Sequence, residues 1–115
     1  MWPETSHFVL SFKEEIIMER FEDLITSKTP VLVDFFAEWC GPCKIMKPIL
    51  EELKGIKGES IRIVKIDVDK HQDLANQYRI QSVPTLMIFK NGETLWRQSG
   101  VMQTKELKET IEKFE

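Results

Sequence analysis

The stretch Val31-Leu32-Val33-Asp34-Phe35-Phe36-Ala37-Glu38-Trp39-Cys40-Gly41-Pro42-Cys43 decides how this chain is read. Its first seven residues are apolar except for Asp34, the pattern of a strand covered on both faces. The only two cysteines follow, spaced C-x-x-C. Beyond them Ile45, Met46, Ile49, Leu50, Leu53 and Ile56 recur at helical spacing. A strand that turns directly into a helix puts Cys40 at the helix N-terminus and Cys43 one turn along. Unpaired N–H groups and the positive end of the helix dipole lie there. They favour a thiolate, so the pKa of Cys40 is expected to fall below its ordinary value of about 8.5. A second thiol one turn away can attack a mixed disulfide formed at the first. The motif therefore predicts thiol–disulfide exchange, with Cys40 as nucleophile and Cys43 as resolving thiol. Gly41 and Pro42 suit a tight entry into the helix, where an early proline is tolerated.

Half of a zinc site is the competing reading of two cysteines. A structural zinc site takes four ligands. The chain has no second cysteine pair, and its histidines, His7 and His71, stand alone. Redox chemistry is the stronger reading, and no metal or bound cofactor is expected.

Upstream, Phe12, Ile16, Ile17, Phe21, Leu24 and Ile25 also fall at helical spacing. Ser11-x-x-Glu14 suits a capping box opening that helix, and Thr29-Pro30 should end it. A short strand is expected at 7–10. Downstream, Gly55 and Gly58 mark the end of the cysteine-bearing helix, and Pro48 inside it should kink it. Strands are expected at 61–68 and 85–90, with a short helix at 69–78 between them. Asn91-Gly92 signals a hairpin, returning over 93–99. Thr104 is the expected cap of a last helix carrying Leu107, Ile111 and Phe114 on one face. The order is (β)αβαβαββα, an α/β fold. Strands separated by helices imply parallel pairing, and the hairpin adds an antiparallel edge.

With 115 residues there is room for a single domain, 1–115. Sixteen basic residues stand against nineteen acidic ones, a net charge of −3. No like-charge block suggests nucleic acid, and no apolar run approaches the ~20 residues of a membrane span. Met1 to His7 lacks the basic and apolar regions of a secretory signal, so a cytoplasmic location is expected. Two cysteines in a reducing cytosol are poor candidates for a structural staple.

Asp34 is the anomaly within its apolar run. A buried carboxylate is costly unless paired, and burial raises its pKa. The functional reading is a proton acceptor for Cys43; the bland one is a solvated strand-end aspartate. The run continues on both sides, which favours function. Lys65, interrupting the next strand, is a candidate partner, although alone it reads as a solvated face. Trp39 should be partly exposed, because its neighbour Cys40 must be reachable. Lys44 and Lys47 read as solvated helix residues, and Trp2 and Trp96 as packing residues. From spacing alone, a cis bond before Pro84 is a poor expectation.

Val33 to Lys44 closely resembles the active-site segment of the thioredoxin family, and the resemblance runs from about Phe21 to the C-terminus. Val83-Pro84-Thr85 looks like the family's cis-proline loop. Ile66-Asp67-Val68-Asp69, Phe89-Lys90-Asn91-Gly92-Glu93 and Ser99-Gly100 match further landmarks. The resemblance implies the thioredoxin fold, a central mixed β-sheet flanked by helices, and a cis Pro84. It places Asp34 on the family's buried aspartate, Lys65 on the lysine that tunes it and Pro48 on the kinking proline. It implies substrate docking on Trp39, Gly41, Pro42, Val83, Pro84, Gly100 and Val101, with the Val83 backbone pairing with a substrate strand. It implies a monomer that reduces disulfide-containing protein substrates and is recharged by thioredoxin reductase, so that NADPH is used indirectly. Phe36 stands where many members have Trp, Ser82 where many have Gly, and residues 1–20 diverge. Secretory oxidases and isomerases of related type often carry His between the cysteines, so Gly41-Pro42 argues against them. A thioredoxin-fold binding module, with Cys40 dispensable, is the rival from another class.

Overall fold

The computed structural model describes residues 20–115. The expected strand at 7–10, the pair Ser11 and Glu14, the side chains of Phe12, Ile16 and Ile17, and Trp2 lie outside the described residues. What is described of the first helix, α1, covers 20–25. It stops before Pro30, where the Thr26 hydroxyl donates to the Asp23 carbonyl at 2.6 Å. Then follow β1 (Val31–Phe36), α2 (Gly41–Lys57), a 3-10 turn (Gly58–Ser60), β2 (Arg62–Asp67), α3 (Gln72–Gln77), β3 (Thr85–Lys90), β4 (Glu93–Ser99) and α4 (Thr104–Glu112). The strands form one mixed sheet in the order β2-β1-β3-β4.

The sheet corrects one expectation. β1 and β2 are parallel, but β3 pairs antiparallel with β1, on the side away from β2. The connection through α3 does not carry the chain back along the sheet. Six helical residues span about 9 Å, whereas a six-residue strand spans about 20 Å. The chain therefore re-enters at the end where β2 left, with Thr85 opposite Phe35. β4 then returns to that same end, with Ser99 opposite Thr85. The loops after β1, β2 and β4 and the loop before β3 all gather at one edge.

Alternation along β1 sorts the core. Val31, Val33 and Phe35 face α1 and α3, packing with Phe21, Ile25, Leu74 and Phe89. Leu32 faces the other side with Met46, Leu50 and Leu53 of α2 and Leu107 and Ile111 of α4. The hairpin falls where Asn91-Gly92 predicts it, with φ +54° and +83° as a primed turn requires. α2 runs unbroken through Pro48 and Gly55, and it ends at Gly58, whose N–H reaches the Lys54 carbonyl. Ile45 and Ile56 were expected in its apolar stripe, yet they are exposed by 54% and 52%. They flank the stripe, and the arc facing the sheet is too narrow to cover them. Thr104 is not the cap of α4. Gln103 holds that position without a side-chain hydrogen bond, and the Thr104 hydroxyl donates instead to Glu52 of α2 at 2.6 Å.

Candidate active site

Cys40 occupies the N-cap of α2 with an extended backbone, and Gly41 and Pro42 are the exposed first two helical residues. The N–H of Cys43 is one of the donors that a helix start leaves unpaired. It donates to Sγ of Cys40 at 3.1 Å. The two cysteines are joined in a disulfide, with Cα atoms 5.3 Å apart. Ala37, one residue past β1, accepts the Cys40 N–H at 3.2 Å and packs with both cysteines. This turn follows from a buried strand ending against a helix with a proline in its first turn.

Cys40 was expected at an exposed helix start. The structure corrects this: Cys40 is 3% exposed and Cys43 5%. Ala37, Phe36, Val68 and Val83 pack around them. The chemical difference between the two sulfurs therefore lies in hydrogen bonding. Sγ of Cys40 receives the helix-start N–H and lies 3.6 Å from the carbonyl oxygen of Val83.

The other predicted residues fall around this pair. The Val83–Pro84 bond is cis, as the resemblance implies. Val83 is half-buried against the cysteines, and Pro84 is buried with its carbonyl accepting the Gly100 N–H at 2.8 Å. Gly100 has φ +99°, a conformation that favours glycine. Val101 is half-buried and packs on the core beside α2 rather than standing free. Trp39 is 71% exposed. Its indole N–H donates to Asp69 in the loop after β2 at 2.8 Å. Asp69 received no role from the sequence, although an acidic residue just past a strand that ends at the site edge is a usable signal. Its own N–H, with that of Lys70, is held by the Asp67 carboxylate at 2.9 and 3.3 Å.

Asp34 is fully buried, and among the described residues neither carboxylate oxygen has a hydrogen-bond partner. It alternates onto the α2 face of the sheet. Burial pushes its pKa up from 3.8 to about 6, and the positive charge of Lys65 partly opposes this. Lys65 lies opposite Asp34 in the β1–β2 register. It does not close an ion pair there; its ammonium stands 4.8 Å from the centroid of the Phe36 ring. Among the described residues, no group of three or more His, Cys, Asp and Glu side chains is placed to hold a metal. No helix among them is long and apolar enough to cross a membrane.

A redox-active C-x-x-C disulfide capping a helix, beside a cis-proline loop at the edge of a mixed sheet, defines a thiol–disulfide oxidoreductase. The thioredoxin family model matches residues 12–113. A thioredoxin-like protein of Synechocystis is 48% identical over 93 residues, 81% of this chain and 89% of that protein. Thioredoxin of Bacillus subtilis is 46% identical over 88 residues, 76% of this chain and 85% of its own. The chain spans 55% of the chloroplastic thioredoxin Y1 of Arabidopsis thaliana, at 45% identity over 95 residues, 82% of this chain. Oxidized mitochondrial thioredoxin 3 of Saccharomyces cerevisiae superposes with a TM-score of 0.76 at 32% identity, covering 84% of this chain and 89% of that one. The chain belongs to the thioredoxin family, and Cys40 and Cys43 form its dithiol/disulfide couple.

Proposed function

We propose that the chain works as a cytoplasmic electron carrier, delivering reducing equivalents from a thioredoxin reductase and NADPH to disulfides of protein substrates. The observation that carries this reading is the Cys43 N–H aimed at Sγ of Cys40. It stabilises negative charge on one sulfur of the pair and not on the other. In the dithiol form the Cys40 thiolate attacks a substrate disulfide. One substrate sulfur leaves as a thiolate and the other stays bonded to Cys40. The Cys43 thiolate then attacks Sγ of Cys40, closing the Cys40–Cys43 disulfide and releasing the second substrate thiolate. Two electrons pass to the substrate.

Asp34 is the proposed proton acceptor for Cys43. Its pKa of about 6 makes it a better base than an ordinary carboxylate while leaving it ionised near neutral pH. Lys65 tunes it, because its positive charge favours the ionised carboxylate and keeps the Asp34 pKa from rising further. Substrates dock on the surface formed by Trp39, Gly41, Pro42, Val83, Pro84, Gly100 and Val101, with Asp69 steadying the Trp39 ring. A reducing compartment suits this direction of flow, because an external dithiol pool must keep the couple open.

The test is reduction of insulin disulfides coupled to a thioredoxin reductase, followed by NADPH consumption. Turnover that disappears in Cys40→Ser supports the reading. Full NADPH oxidation with Cys40→Ser, or none with the wild-type protein and several reductases, overturns it.

A further inference from the structure

Beside Cys43 a cavity of about 250 Å³ opens on the α2–β2 side of the site. Phe36 and Cys43 form part of its wall, and Lys44, Lys47 and Lys65 supply three cations against one acid, Glu38. Among the described residues, none of these three lysines has a carboxylate within 4.0 Å of its ammonium. A second groove of about 680 Å³ shares Lys47 and Lys65 and continues between α2 and β2. It adds Lys54 and Arg62 against Glu51 and Glu59. Lys54 is occupied, donating to the carbonyls of Gly58 and Ile61 at 2.8 Å each. A chain with net charge −3 therefore keeps a locally basic channel that starts at its resolving cysteine.

We infer that this channel is a docking groove for acidic residues flanking the cysteine of the disulfide-bearing protein substrate. The inference rests on the proposed reductase reading and names the substrate class it favours. Charge complementarity selects the occupant. Exposed ion pairs in water are individually weak, so three surface lysines hold a free small anion poorly. A carboxylate on the same polypeptide as the disulfide is different. Once that polypeptide is docked at Cys40, its side chains reach the channel at a high effective concentration. Each exposed lysine–carboxylate contact then contributes mainly to choice among substrates and to encounter rate, and salt screens it.

The experiment compares two disulfide-linked peptides of one length and sequence, with three glutamates or three glutamines flanking the cysteine. Reduction by the dithiol form of the full chain is followed as kcat/KM, in the wild-type protein and in Lys47→Glu. Lys47 is exposed and takes no part in the exchange chemistry. The glutamate peptide is expected to be reduced about three- to fivefold faster than the glutamine peptide at low salt. That preference is expected to vanish at about 0.5 M salt, where the screening length is a few Å. Lys47→Glu should erase or invert it while reducing the glutamine peptide at the wild-type rate. Equal rates for the two peptides overturn the groove and leave the reductase reading intact, since both are still reduced. A preference that survives in both Lys47→Glu and Lys44→Glu also overturns it. Reduction of neither peptide removes the groove together with the reading beneath it.

Discussion

The backbone N–H of Cys43 points at Sγ of Cys40 from 3.1 Å, within the first turn of α2. One sulfur is thus an acceptor at a helix N-cap, and the other sits inside the helix. Exposure does not separate them, because both are nearly buried. The asymmetry of the couple is electrostatic, and it follows from where β1 ends and α2 begins.

In the reduced protein Cys40 should therefore alkylate faster than Cys43, on the order of tenfold near neutral pH, from its greater thiolate fraction. Iodoacetamide labelling with peptide mapping measures the ratio. Equal labelling, or faster labelling of Cys43, would reverse the assignment of nucleophile and resolving thiol.

Asp34 gives a pH signature whose sign is determined by its raised pKa. Between pH 3.8 and about 6 the folded state keeps the proton that the unfolded state loses. Stability therefore falls as pH rises through that window, and the full penalty is present above it. Asp34→Asn removes this penalty and should stabilise the fold at pH 8 by up to about 3 kcal/mol, with the gain fading toward pH 4. The same variant should slow closure of the Cys40–Cys43 disulfide. Urea melts at the two pH values and single-turnover kinetics check both parts. A destabilised variant with unchanged kinetics would make Asp34 a structural acceptor only.

Asp69 offers a separation of stability from substrate handling. Its carboxylate holds the exposed Trp39 indole at 2.8 Å. Asp69→Ala should cost less than about 1 kcal/mol in a melt, as expected for one exposed hydrogen bond. It should raise KM for a protein disulfide with kcat nearly unchanged, because the ring loses its anchor while the sulfurs keep theirs. An unchanged KM would show that the orientation of Trp39 is irrelevant to docking.

Gln103 caps α4 without using its side chain. Its backbone is already extended, as a cap requires. Gln103→Asp should place an oxygen against the free N–H groups of the first turn and stabilise the protein by about 1 kcal/mol. A thermal melt decides; a lower melting temperature would mean that the loop before Thr104 cannot present the carboxylate.

The elements that local pattern specifies were legible. The apolar run through Val31–Phe36, the C-x-x-C spacing, the Asn91-Gly92 turn and the buried stripe Met46, Ile49, Leu50 and Leu53 all reflect short-range chemistry. The direction of β3 was not, because nothing local says whether a chain leaving β2 crosses back or re-enters at the same end. That depended on the length of α3. Ile45 and Ile56 have the right residue type and nearly the right spacing, but burial depends on how much of the helix the sheet covers. Trp39 was readable as exposed, whereas its bond to Asp69 joins residues thirty positions apart. Asp34 was readable as anomalous from its neighbours. That no side chain among the described residues hydrogen-bonds to it depends on the β1–β2 register and on Lys65 turning toward Phe36.

The most direct test of the exchange mechanism is capture of its covalent intermediate. In Cys43→Ser the resolving thiol is gone, so attack on insulin or another disulfide-bearing protein should stop at a mixed disulfide. The predicted result is an adduct linked through Cys40, stable on a non-reducing gel, released by dithiothreitol and absent from Cys40→Ser. An adduct that fails to form in Cys43→Ser, or turnover that persists in Cys40→Ser, would contradict the account.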